Sequence, residues 1–395
     1  MATLLNEPTA SSALLGVYRP APPLFVGARG CWLYDDGGRR YLDFSSGIGV
    51  NALGYGDAGV AQALWRAAAT GLIHTSNLFR TEPAVQLAQE LIALSFADRV
   101  FFCNSGAESN EAAFKFARRW ARAEGGAAKH EIVALRGAFH GRLFGSLAAT
   151  DRRALQEPFE PLMPGVRFIE PGDLAGAARA IAAERTAAVI VEPVQGEGGV
   201  RPLEAPYLHA LRELTHAANA LLIFDEVQCG LGRTGELFAY EAAGVEPDLL
   251  TLAKPLAGGL PMGAVLLTDS VAAAIQPGDH ATTFGGGPLV ASVALEVVRR
   301  IAEPTFLHAV RLRGAQLAAR LAELRALPAV REIRGVGLMW GVELDTAAAP
   351  VVARALEAGL LLTSAGERVI RLLPPLVIHA DEIDDGVALL REVLS

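Results

Sequence analysis

Cysteine is scarce in this sequence: Cys31, Cys103 and Cys229 are spread through 395 residues. That excludes a disulfide framework or a cysteine-rich metal cluster, and the three are expected to be buried, reduced thiols. Long apolar runs are missing as well. Hydrophobic residues make up 51% of the chain and the mean hydropathy is +0.30, yet no stretch reaches the roughly 18 uninterrupted apolar residues of a membrane span. The apolar content is Ala, Leu and Val in short segments, core material for a soluble protein. Basic residues are not in excess: 35 Lys and Arg against 43 Asp and Glu give a net charge of -8. This argues against a nucleic-acid surface and for small-molecule chemistry. Residues 1–12 lack the basic and apolar regions of a secretory signal, so a cytoplasmic location is expected. There is no GxxxxGK[ST] loop for phosphate hydrolysis, and no GxGxxG follows an early strand as a dinucleotide site needs. Internal repeats and low-complexity tracts are absent too.

What is present exceeds what one core usually organises, so a large domain with a smaller one against it is expected. The turn Asp35-Asp36-Gly37-Gly38 between residues 31–34 and 40–44 reads as a hairpin. Apolar positions recur at helical spacing over 58–69 and 83–97, and 100–103 is β-prone. Short apolar runs follow at 131–135, 187–191, 221–224, 249–252 and 264–267. They lack polar alternation, as strands buried on both faces do. Helical segments, such as 207–218 after Pro206, lie between most of them, which predicts an α/β fold with a mainly parallel sheet covered by helices. Helices over 289–302 and 307–326 and strands over 337–344 and 369–372 suit a smaller α+β lobe. The expected division is 1–57 opening the small domain, 58–290 as the large domain, and 291–395 completing the small one.

Three segments carry chemistry. Leu221-Leu222-Ile223-Phe224-Asp225-Glu226 is a buried strand ending in two acids, and ligands in open α/β sheets collect beyond strand carboxyl ends. The plainer reading of such an acid is a helix cap. Twenty-nine residues after Asp225, Lys254 closes another apolar run. A buried ammonium needs a reason, because unpaired burial is costly. Schiff-base formation with an aldehyde supplies one by removing the permanent charge, and a solvated surface lysine is the alternative. Phe102-Cys103-Asn104-Ser105-Gly106-Ala107 passes from strand to helix, where free N–H groups bind phosphate; Asn104 or Ser105 could instead serve only as the N-cap. The stretch Thr282-Thr283-Phe284-Gly285-Gly286 offers hydroxyls for a second phosphate contact.

At these positions, and at Tyr41-Leu42-Asp43-Phe44, Phe139-His140-Gly141-Arg142, Glu192-Pro193-Val194-Gln195-Gly196-Glu197-Gly198-Gly199, Gly232-Arg233-Thr234-Gly235 and Arg371-Leu372-Leu373-Pro374-Pro375, the sequence resembles the class III aminotransferases. The resemblance covers almost the whole chain, and the acetylornithine aminotransferases are the most similar subgroup. It implies the aspartate aminotransferase fold (fold type I), pyridoxal 5'-phosphate (PLP) as cofactor and a homodimer with shared sites. By that resemblance Lys254 and Asp225 are the catalytic pair: Lys254 holds the cofactor and moves the proton, and Asp225 pairs with the pyridinium nitrogen. Gln228 bonds the phenolic oxygen and Phe139 stacks on the ring. Ser105, Gly106 and Ala107 hold the phosphate, with Thr283 reaching over from the partner subunit.

The resemblance further implies that Arg142 binds the acylornithine α-carboxylate and then the glutamate side chain. Arg371 binds the glutamate α-carboxylate, and Glu197 neutralises Arg371 in the other half-reaction. Thr282 joins the substrate contacts. The implied reaction moves the δ-amino group of N-acetylornithine to 2-oxoglutarate, as in arginine biosynthesis. Rivals with the same machinery take N-succinylornithine, ornithine, 4-aminobutyrate or an acylated or carrier-bound lysine precursor. An aminomutase, a dehydrogenase and a non-enzymatic binding protein are the more distant readings. Tyr55, Arg80 and Gly287 depart from the family pattern, Arg80 in a segment that lines the substrate entrance in relatives.

Overall fold

The structure, a computed structural model, describes residues 14–395; residues 1–12, read above for a secretory signal, lie outside them. Its centre is a seven-stranded sheet. In chain order the strands are β4 (Arg99–Cys103), β5 (Glu131–Leu135), β6 (Val166–Ile169), β7 (Thr186–Val191), β10 (Leu221–Asp225), β11 (Leu249–Leu252) and β12 (Gly263–Leu267). Their spatial order is β4-β12-β11-β10-β7-β5-β6. All run one way except β12, which pairs antiparallel with both β11 and β4.

The apolar runs form this sheet because each faces two layers. In β10, Leu221 and Ile223 join one apolar cluster with Ala113, Phe114, Ala117 and Trp120 of the Gly106–Gly125 helix. Leu222 and Phe224 point the other way into the main core. Side chains alternate along a strand, so a strand covered on both faces must be apolar at every position. Each fully buried Leu, Ile or Phe contributes roughly 1.5–3 kcal/mol against exposure. The alternation also assigns the two acids that end the run. Asp225 continues the face of Leu221 and Ile223, toward the Gly106–Gly125 helix. Glu226 turns to the opposite face.

A second sheet joins both ends of the chain: β1 (Phe25–Arg29), β2 (Trp32–Asp35) and β3 (Arg40–Asp43) form antiparallel pairs, and β15 (Leu360–Leu361) adds to β3 in parallel. A third, antiparallel sheet has the order β13 (Val330–Val336), β14 (Met339–Leu344), β17 (Val369–Leu372), β16 (Thr363–Ala365). A hairpin of β8 (Val194–Gln195) and β9 (Arg201–Pro202) carries the Gly-Glu-Gly-Gly segment in its loop.

Most expected segments recur within a few residues, and the differences have local causes. The helix expected over 83–97 ends at Ala93, where the Ser95 hydroxyl donates to the Leu91 carbonyl and competes with the helical ladder. The helix expected from 307 begins at Pro304, and proline is welcome in a first turn. Strands β1, β6 and β13 and the helix Ala380–Leu394 were not expected. β6 is a four-residue edge strand interrupted by Arg167, so no apolar run marks it. The three cysteines are buried and free.

Candidate active site

The carboxyl ends of β4, β5, β7, β10 and β11 converge on one cavity of about 420 Å³. Asp225, at the end of β10, is 3% exposed. Its Oδ2 accepts from Asn110 Nδ2 at 2.7 Å and lies 2.7 Å from His140 Nδ1, while Oδ1 accepts from the Val227 N–H at 3.0 Å. An acceptor at that distance assigns the proton to His140 Nδ1, which leaves the buried Nε2 without a partner. Asn110 is itself oriented by the Thr251 hydroxyl, which donates to its Oδ1 at 2.8 Å. The carboxylate is held by three donors before anything else enters the cavity.

Lys254 follows β11 and starts a short 3-10 turn with φ +31°, a left-handed conformation that costs energy for any residue but glycine. It lines the same cavity and is no solvated surface lysine. Burial lowers its ammonium pKa; Asp225 opposes the shift and Arg371 reinforces it. The amine is thereby biased toward the neutral, nucleophilic form.

The phosphate candidate stands at the start of the Gly106–Gly125 helix. Ser105 is the N-cap, its hydroxyl accepting from Glu108 N at 3.2 Å, and Glu108 reaches back to Asn104 N at 2.9 Å and Asn104 Nδ2 at 2.8 Å. The N-cap reading and the cradle reading coexist: the first-turn N–H groups of Gly106 and Ala107 have no helical carbonyl to bond and open on the cavity. A Cβ on Gly106 would stand 2.5 Å from Val227 Cγ1, so only glycine allows this close approach.

Arg371 on β17 is 2% exposed. Its Nη1 donates to Glu197 Oε1 at 2.5 Å and to Gln228 Oε1 at 3.3 Å, and its Nε to Thr363 Oγ1 at 3.3 Å. Glu197 is therefore not a free loop carboxylate. Arg142, exposed, also lines the cavity, its guanidinium 5.8 Å from the Phe139 ring centroid. Thr282 and Thr283 are not brought into this cavity. They line a neighbouring concavity of about 660 Å³ with Ser76, Asn77 and Leu78. Thr282 Oγ1 accepts from Asn104 Nδ2 at 3.1 Å.

Sequence reasoning assigned no role to Asn110, His140 or Glu192. Glu192 accepts from Phe139 N at 2.9 Å and Gly196 N at 3.1 Å, tying together the two loops that carry Phe139 and Glu197. Burial pushes its carboxyl up to about 7, with Asp225 adding to the shift. A glutamate directly after the apolar run of β7 was the available signal. Glu226 is the helix cap: it accepts from Ala239 N at 2.6 Å and Tyr240 N at 2.8 Å, at the start of the Ala239–Ala243 helix.

A single antiparallel strand in an otherwise parallel sheet, with a lysine and an anchored aspartate in one cavity, defines a fold type I, PLP-dependent transferase. The residues suit that group on three counts: an amine of lowered pKa, a fixed carboxylate, and free helix-start N–H groups. The aminotransferase class-III model matches residues 18–394, and the chain belongs to that family of PLP-dependent aminotransferases. A mitochondrial acetylornithine aminotransferase of Alnus glutinosa is 49% identical over 98% of this chain and 86% of its own. An acetylornithine aminotransferase of Methanocaldococcus jannaschii is 45% identical over 96% of each. Among solved structures, an ornithine aminotransferase from Toxoplasma gondii, with PLP at partial occupancy in its active site, superposes with a TM-score of 0.92 at 32% identity. That match covers 98% of this chain and 92% of the other.

Proposed function

We propose that this aminotransferase moves the δ-amino group of N-acetylornithine to 2-oxoglutarate, yielding N-acetylglutamate 5-semialdehyde and glutamate. The observation that carries this reading is the ion pair of buried Arg371 with Glu197, a residue that lines the Lys254 cavity together with Arg142, in a chain 45–49% identical to enzymes named for acetylornithine. Two arginines suit a donor and an acceptor that each present carboxylates at different distances from the reacting carbon. When the α-carboxylate of glutamate is bound, Arg371 takes it and Glu197 withdraws. When the ω-amine donor is bound, Glu197 returns, so that the buried guanidinium is not left unpaired and an α-amino acid is not favoured.

PLP, when bound, supplies an electron sink for the bond broken at the substrate carbon. Ser105, Gly106 and Ala107 would hold its phosphate, Asp225 would pair with its ring nitrogen, Gln228 would bond its phenolic oxygen and Phe139 would cover one ring face. Lys254 would tether it, and once the substrate amine has displaced Nζ from that linkage, the lysine amine, whose pKa burial lowers, would move the proton between the substrate carbon and the cofactor. Arg142 orients the distal carboxylate of either substrate.

The active unit in this proposal is a homodimer, in which Thr283 completes the phosphate site of the second copy and Thr282 lies at its substrate side. Support comes from exposed apolar side chains beside Thr282 and Thr283: Leu78 at 87%, Phe79 at 70% and Phe284 at 66%. The division at 57 and 290 into a large domain and a two-part small one is supported by the pairing of β3 with β15, which links the chain's two ends. A cytoplasmic location belongs to the same proposal, and cell fractionation decides it. A panel of N-acetylornithine, N-succinylornithine, ornithine and 4-aminobutyrate, each with 2-oxoglutarate, tests the donor by kcat/KM. Preference for any other donor over N-acetylornithine overturns the assignment.

A further inference from the structure

The loop that carries Glu197 holds three glycines within four residues, Gly196, Gly198 and Gly199. Such a segment has much backbone freedom to lose. Three successive carbonyls of the loop are nevertheless each taken by a different guanidinium. Arg152 Nη2 donates to the Glu197 carbonyl at 2.7 Å, Arg201 Nε to Gly198 at 3.2 Å, and Arg334 Nε to Gly199 at 2.8 Å. The three come from different sides. Arg152 precedes the short helix Arg153–Gln156 of the large-sheet region, Arg201 opens β9, and Arg334 lies on β13 of the antiparallel sheet. Arg334 is anchored in turn, its Nη1 donating to Glu332 at 2.7 Å and Glu343 at 2.6 Å. Arg201 Nη2 stands 3.7 Å from the same Glu343. Gly199 is what lets Arg334 approach: a Cβ there would meet Arg334 Nη2 at 2.9 Å, and its φ of +103° disfavours any other residue.

We propose that Arg152, Arg201 and Arg334 are positioning residues that hold the 197–199 backbone still, so that Glu197 leaves and rejoins Arg371 by side-chain rotation alone. None of the three touches the reacting atoms. The inference rests on the reading of Glu197 as the switch. With its backbone clamped, the carboxylate has one place to return to, and the ω-amine half-reaction regains a neutralised Arg371 after every turnover. With the clamp loosened, the glutamate half-reaction, in which Glu197 stands aside, proceeds while the ω-amine half-reaction suffers.

The test compares the two half-reactions of the holoenzyme by kcat/KM, with N-acetylornithine and with glutamate as donors. Arg152→Ala should lower the first by roughly tenfold, the scale of one lost charge-assisted hydrogen bond, and leave the second within about twofold. Arg152→Lys, which keeps one donor for the Glu197 carbonyl, should restore most of the loss. In a Glu197→Ala background, Arg152→Ala should change the ratio of the two by no more than about twofold, because the clamp then has no carboxylate to position. Arg201→Ala and Arg334→Ala should act like Arg152→Ala. Should Arg334→Ala fail to fold, the exposed Arg201 and the half-buried Arg152 carry the test. If Glu197→Ala shifts the ratio but Arg152→Ala does not, or shifts it equally with and without Glu197, the clamp is overturned and the switch stands. If Glu197→Ala itself leaves the ratio unchanged, the switch reading fails first and takes the clamp with it.

Discussion

Replacing Gly106 with alanine probes the phosphate cradle through a single methyl group. In isolation the change should help the helix, since alanine is favoured over glycine by up to about 1 kcal/mol. The structure opposes it. The new Cβ would lie 2.5 Å from Val227 Cγ1 and 2.9 Å from Cγ2, whereas carbon atoms settle at about 3.5 Å or more. Either Val227 or the start of the Gly106–Gly125 helix must retreat by about 1 Å. Val227 cannot move freely, because its N–H donates to Asp225 Oδ1. Overpacking of this kind costs about 1–3 kcal/mol of stability. A displaced helix start also forfeits at least one N–H contact to the phosphate, about 1.5–3 kcal/mol, so PLP should bind roughly ten- to hundredfold more weakly. Titration of the apoenzyme with PLP, followed by absorbance, reads the affinity, and urea unfolding reads the stability. Gly106→Ala/Val227→Ala should recover most of the affinity, because the γ-methyls responsible for the clash are gone and only the Cβ at 3.3 Å remains. Wild-type affinity in the single variant, or no recovery in the double one, would refute the argument.

Further outcomes follow from the same geometry. Lys254→Ala removes the only lysine among the described residues that line the cavity, so single-turnover transamination should fall by at least 10²- to 10⁴-fold, the scale of one lost general base; a loss of less than about tenfold contradicts its role. Burial raises the carboxyls of Glu226 and Glu192 to about 8 and about 7, above the roughly 4.3 of an unfolded glutamate. The folded state then keeps protons that the unfolded state has released, so their contribution to stability is full below about pH 4.3 and is lost as pH rises toward 7–8. Urea midpoints should fall across that window, and Glu226→Gln should flatten the slope; an unchanged slope counts against it. Arg233 is 1% exposed, donates to the Leu338 and Pro374 carbonyls at 3.0 and 2.5 Å, and has its pKa pushed down to about 9 by burial. Arg233→Ala should cost about 3 kcal/mol or more in urea unfolding, and a loss under about 1 kcal/mol speaks against it as a tie between the β13–β14 turn and the segment after β17.

Much of this molecule was legible before any coordinate. The runs 131–135, 249–252 and 369–372 became strands with those bounds, and the 58–69 helix spans Ala58–Ala69, because burial on both faces or on one helical stripe leaves a pattern in neighbouring residues. Edge strands leave a weaker pattern, which is why β6, with Arg167 in its middle, was passed over. The site was legible where the motif residue itself lines the cavity, as Lys254, Asp225 and Ser105 do. Where a residue acts through another it was silent. His140 and Asn110 matter because they meet on Asp225 Oδ2, a meeting that requires β10 and the Gly106–Gly125 helix to face each other.

Local order along the chain therefore determined the class of fold and the strand-end lysine and aspartate, since period-2 and period-3.6 patterns and strand-to-helix turns are properties of adjacent residues, while the family was carried by the resemblance of its motifs. Tertiary structure decided what depends on contact between distant ones. It set the reversed direction of β12 and the division of labour in which Asp225 faces the cavity while Glu226 caps a helix. It also paired Glu197 with Arg371 and lodged three arginines on the carbonyls of the Glu197 loop. Alternation specifies that successive side chains oppose one another, but which face meets the cavity is settled only by the helix that covers the sheet.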